Sequence, residues 1–117
     1  MKRDLNLVRE ILLQLEDQGH VGEIVGRTSQ EVAYHVSLLE DAGLVTQDLY
    51  TNMYLDNSLL EGIRITWSGH EFLDASRSDP IWEKAKQIVM QKTGVLSFEL
   101  VKTALIQLAK QALEVAL

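Results

Sequence analysis

Leu5, Val8, Ile11, Leu12 and Leu15 recur at three- and four-residue intervals, the spacing of one face of an α-helix. Asp4 ahead of them is a helix cap and Gly19 behind them a stop, so a first helix is expected over roughly residues 4–18. The same period returns in Val32, Val36 and Leu39, with Ala33, His35 and Ala42 beside them. Thr28 followed by Glu31 is a capping box, and Gly43 can take the left-handed conformation that ends a helix. A second helix therefore runs from Thr28 to Ala42, with Gln30, Tyr34, Ser37 and Asp41 on its polar face. The intervening residues 20–27 are too short and glycine-rich for a full helix. A short strand at Glu23–Val25 is expected there instead.

Beyond Gly43 the period changes to two. Residues 44–50 and 62–67 read as the strands of a hairpin, with Ile63, Ile65 and Trp67 inward and Arg64 and Thr66 outward. The segment between them, TNMYLDNSLLE, contains turn-forming Asp56, Asn57 and Ser58 and is unusually apolar for a solvated loop. Ser68 and Glu71 form a second capping box, opening a helix with Phe72 and Leu73 inward. Asp79 and Pro80 start another, with Trp82, Ala85, Ile88 and Val89 as its apolar stripe and Gly94 as its end. Ser97 introduces a last helix that carries two apolar stripes. Phe98, Val101, Leu105, Leu108, Ala112 and Val115 form a seam with coiled-coil spacing, and Ile106, Ala109, Leu113 and Leu117 adjoin it. One stripe is expected on the body and the other on a symmetry mate, with the Phe98 to Val115 seam as the homodimer interface. The simpler alternative is a helix sunk in a groove of its own domain.

These elements describe an α+β, mainly helical chain, read as one domain over residues 1–117 with a helical extension from about residue 79. The second helix, ending on Ala42-Gly43-Leu44-Val45 and passing into a strand, resembles the recognition helix and first wing strand of winged-helix regulators of the arsenic-repressor-like group. That resemblance implies a winged-helix-like fold with a short strand, a two-stranded wing and C-terminal helices. The chain as a whole resembles a small uncharacterised family of bacteria and their phages and prophages. Met1-Lys2-Arg3-Asp4, Tyr34-His35, Ala42-Gly43-Leu44, the run Thr66 to Asp74 with Arg77 and Trp82, and Leu96-Ser97-Phe98-Glu99 carry this likeness. It implies a phage-linked context and no activity.

Composition narrows the functions. There is no cysteine, which excludes disulfides and thiolate metal sites. His70-Glu71 begins like a zinc-protease helix, but Asp74 stands where the second histidine is required. Gly19, Gly22 and Gly26 lack the lysine of a phosphate loop. No catalytic constellation is assembled, so no enzyme, metal or cofactor is expected. The N-terminus is charged on both sides of a short apolar stripe, and no apolar run reaches the roughly 20 residues of a membrane span. A cytoplasmic protein is expected.

For DNA, the candidate contacts are Gln30, Tyr34 and Ser37 on the second helix, with Arg27 and Arg64 reaching phosphates. Charge argues against this. Seventeen acidic against eleven basic residues give a net −6, and the second helix holds no Lys or Arg. Ser37 and Glu40 occupy positions where such regulators often carry basic residues. About six or more phosphate contacts, typical of tight binders, would consume most of the available positive charge. Two readings stay open. One is a DNA-binding regulator of phage or prophage type, and the other a protein-interaction module, such as a phage accessory or host-partner inhibitor, with a degenerate acidic helix.

Overall fold

Asp4 accepts the amides of Asn6 at 2.9 Å and Leu7 at 3.4 Å, and so starts the helix α1, Leu5–Gln18. Gly19 ends it with φ of 80°, its amide returning to the Leu15 carbonyl. The computed structural model describes residues 1–47 and 62–116. Within that range the protein is mainly helical, with one two-stranded antiparallel sheet. The expected tip at residues 51–61 and Leu117 lie outside the described residues.

The second helix, α2, spans Ser29–Asp41 and is capped as its sequence implies. Thr28 Oγ1 accepts the Glu31 amide at 3.1 Å, and the Glu31 carboxylate accepts the Thr28 amide at 3.4 Å. Such a cap is worth about 1 kcal/mol. At the other end the Leu44 amide reaches the Leu39 carbonyl, and the Gly43 amide reaches Glu40. This paired closure needs a left-handed residue, and Gly43 supplies it with φ of 75°.

The expected strand at Glu23–Val25 is not formed. A tight turn stands there, in which the Arg27 amide bonds to the Ile24 carbonyl at 3.1 Å and Gly26 adopts φ of 80°. Positive φ at the third turn residue is what a type II turn requires of glycine. The glycine that looked like a flank of a strand is therefore the residue that bends the chain.

Strand β1, Val45–Gln47, pairs with β2, Ile63–Ile65, in the register Val45 with Ile65, Thr46 with Arg64 and Gln47 with Ile63. Ile63 and Ile65 are buried and Arg64 is exposed, the alternation expected of a half-buried strand. The alternation stops at Ile65. Trp67, expected inward at the end of this strand, is instead the first residue of helix α3, Trp67–Ser76, and is 80% exposed. Thr66 decides this. Its amide bonds to the Leu44 carbonyl, its hydroxyl donates to the Gly43 carbonyl, and the same oxygen accepts the Gly69 amide at 3.1 Å. Thr66 thus caps α3 two residues earlier than the expected Ser68, and the helical period turns Trp67 outward.

Two compact units form, Met1–Glu71 and Phe72–Leu117, and the expected core residues divide between them. In the first, α1 packs on α2 and β2, and α2 on β1. Leu7, Ile11 and Leu12 from α1 are buried there with Val32, Val36 and Leu39 from α2. Each such side chain contributes roughly 1.5–3 kcal/mol by leaving water. In the second unit α4, Asp79–Thr93, packs on α5, Phe98–Ala116. Ser78, not Asp79, is the cap of α4, and Pro80 lies in its first turn, where no amide partner is required. Phe72 meets Trp82 and Phe98 edge-on, at centroid distances of 6.0 and 4.9 Å.

Candidate functional site

The N-terminal turns of α1 and α2 are joined by a polar cluster whose members come from three separate stretches. Arg27, at the end of the tight turn, places its guanidinium 2.7 Å from the Asp4 carboxylate and 3.6 Å from that of Glu31. Burial pushes the Asp4 carboxyl up, but the Arg27 hydrogen bond, the Asn6 amide, the Arg27 charge and the Leu7 amide together hold it below its ordinary value. The Asp4 hydrogen bond in turn holds Arg27 further up. Asp4 therefore serves two elements at once, as cap of α1 and as counterion of the residue that precedes α2.

His35 completes the cluster from inside. Its side chain is 1% exposed, and both ring nitrogens are bonded: Nε2 accepts the Asp4 amide at 2.9 Å, and Nδ1 lies 2.8 Å from the Glu31 carbonyl. An amide can only donate and a carbonyl only accept, so the proton sits on Nδ1 and the ring is neutral. His35 is a hydrogen-bonded core histidine, with no remaining ring nitrogen for a ligand.

Gln30, Tyr34 and Ser37 all fall on the exposed face of α2, as their spacing requires. The Ser37 hydroxyl donates to the Tyr34 carbonyl at 2.6 Å, so its proton is spent within the helix. Tyr34 is 39% exposed, and its ring stands edge-on against His35 at 5.7 Å. Glu40, Asp41 and Ala42 continue the exposed surface. Arg64 is exposed in the middle of β2. Of the two arginines expected to meet phosphate, Arg27 is thus committed to carboxylates of its own unit, whereas Arg64 faces solvent. The Asp4 partnership is the feature that sequence reasoning missed. Only the spacing of Arg27 and Glu31, four residues apart, hinted at a paired arginine.

Beside this face, the tight turn and the start of α2 border an open cavity of about 630 Å³, whose lining includes Glu23, Ile24, Val25, Arg27 and Val32. Val25, at the tip of the turn, is fully exposed. Among the described residues no group of His, Asp and Glu is arranged to hold a metal ion, and Asp74 pairs with Arg77 at 2.8 Å. No helix among the described residues is long and apolar enough to cross a membrane.

In the C-terminal unit the seam of α5 is split. Val101 and Leu105 are buried within their own unit, Phe98 and Leu108 are half-buried, and Ala112 and Val115 are exposed. Two of the six residues of the expected dimer interface are therefore buried within their own unit. In the adjoining stripe, Ile106, Ala109 and Leu113 are all exposed.

A family model described as "Hypothetical protein (DUF2513)" matches residues 2–95. An uncharacterized protein of Haemophilus influenzae is 37% identical over 108 residues, covering 87% of this chain and 90% of that protein. No solved structure matches the chain.

Proposed function

The chain belongs to the DUF2513 family of hypothetical proteins, and within it we propose a non-enzymatic, winged-helix-like protein-interaction module whose contact face is the outer side of α2. The winged-helix reading is supported by the order of elements in the first unit and by the turn of α2 through Gly43 into β1. A tight turn occupies the place where a DNA reader would hold the first helix of its helix-turn-helix.

The observation that carries the choice of partner is the Arg27 ion pair. A phosphate seeking Arg27 would have to displace two carboxylates already in place, at 2.7 and 3.6 Å. The rest of the exposed α2 face is neutral or acidic, with Gln30, Tyr34, Ser37, Glu40 and Asp41. Polyanions are repelled by such a face, and a partially exposed tyrosine among polar groups suits a protein contact. A phage accessory protein or inhibitor of a host partner fits this chemistry.

DNA binding is the second reading, favoured by the exposed Arg64 on β2 and by the likeness of α2 and β1 to a recognition helix and wing strand. A gel-shift assay on random duplex at low salt separates the two. The interaction-module reading expects no retardation, together with covalent capture of protein by a photo-crosslinking residue at Tyr34 and none at the exposed Glu83. Retardation that weakens steeply with salt, with a slope reduced by about one unit in Arg64→Ala, would establish DNA binding instead.

A further inference from the structure

We infer that the outer stripe of α5, Ile106, Ala109 and Leu113, is the contact surface for a second copy of this chain, in antiparallel register. Ile106 is 43% exposed and Leu113 60%, and Ala109 between them is exposed too. Their spacing of three and four residues is that of a helix–helix seam. The stripe lies beside, and not within, the face that α5 buries on α4.

Helix lengths explain why part of α5 stays open. α5 has 19 residues and α4 only 15, and the four residues 94–97 that join them make an antiparallel hairpin. The last turn of α5 therefore runs past the start of α4. Leu113 and Val115 lie in that turn, and Val115 is among the most exposed side chains of the unit.

Self-complementarity selects the occupant and its direction. In an antiparallel pair centred between Ile106 and Ala109, each isoleucine meets the small alanine of the other copy, so the two helices approach closely around a two-fold axis. Lys102 then lies level with the partner copy's Leu113, where its methylenes cover the leucine. Its ammonium lies at the carboxyl end of the facing helix, where a cation is favoured. A parallel pair would instead set Lys102 against Lys102 and leave the alanines facing across a gap. Charge and side-chain size both favour the antiparallel arrangement.

Light scattering after size exclusion should give twice the 13.2 kDa chain mass at tens of micromolar. Ile106→Glu places a charge where the contact must exclude water and should raise the dissociation constant more than about tenfold, with unchanged helical circular dichroism. Leu113→Gln, on the exposed last turn, should weaken the dimer without any fold risk. Because the chain lacks cysteine, an Ile106→Cys chain mixed with an Ala109→Cys chain reports the register. Oxidation should link unlike chains in preference to like ones. A wild-type monomer overturns the inference, as does a dimer untouched by Ile106→Glu and Leu113→Gln. Preferential linkage of like chains overturns the antiparallel register.

Discussion

The backbone amide of Asp4 and Nε2 of His35 are 2.9 Å apart, so that the start of α1 is bonded to a buried ring on α2, 31 residues further along the chain. The bond satisfies an amide at a helix start that has no partner within its own helix. It also orients the Asp4 side chain, whose carboxylate then reaches Arg27.

Removing that ring should be costly. His35→Ala leaves the Asp4 amide without its acceptor and opens a cavity in a well-packed unit, a loss of about 2–4 kcal/mol. Urea denaturation should show a lower midpoint with an unchanged slope. A midpoint equal to that of the wild type would mean that water or another side chain takes over the bond.

Acid should weaken the Asp4 to Arg27 contact. The Asp4 carboxyl is held below its ordinary value, so its contribution is complete above the unfolded value and disappears as pH falls through the lowered one. Asp4→Asn keeps a capping side chain and loses the charge. Wild type should be more stable than this variant at neutral pH by up to about 1 kcal/mol, since the pair is partly solvated. Denaturation at a series of pH values should show that gap closing in acid. A gap that widens there would contradict the sign.

Gly69 should tolerate no side chain. A Cβ at this position would collide with the Leu44 carbonyl oxygen and come within 2.7 Å of Ile65 Cγ2. The carbonyl is held by the Thr66 amide and cannot swing aside freely. Gly69→Ala should therefore destabilise by about 1–3 kcal/mol despite alanine's better helix propensity. Thermal melting measures this, and a stabilised variant would show that Gly69 sits further from Leu44 and Ile65.

The two tryptophans should behave oppositely. Trp67 is 80% exposed and Trp82 is 2% exposed, packed against Phe72 and under the Lys86 ammonium. In single-tryptophan variants, Trp67 should emit at long wavelength and be readily quenched by iodide, whereas Trp82 should be blue-shifted and protected. Trp67→Ala should change stability by less than about 0.5 kcal/mol, as for other surface positions, and Trp82→Ala should lose about 3–5 kcal/mol.

Helix positions, the caps of α1 and α2 and most buried residues were legible in the sequence because their causes are local. Thr28 and Glu31 cap one turn, Gly19, Gly43 and Gly94 each close a helix within about five residues, and the 3.6-residue period marks an inner face whatever it packs against. The exposure of Gln30, Tyr34, Ser37 and Arg64 follows from the same periods. Three features needed the tertiary structure. Arg27 has an adjacent carboxylate candidate in Glu31, but its closest partner, Asp4, is 23 residues away and meets it because α1 packs on α2. Trp67 satisfied a strand alternation and a helix start equally well, and the hydrogen bonds of Thr66 to Gly43, Leu44 and Gly69 chose the helix. On α5 two neighbouring stripes are similarly apolar, so periodicity cannot rank them. Packing on α4 buried Val101 and Leu105, and left Ile106 and Leu113 in water, because a helix can turn only one side toward a single neighbour.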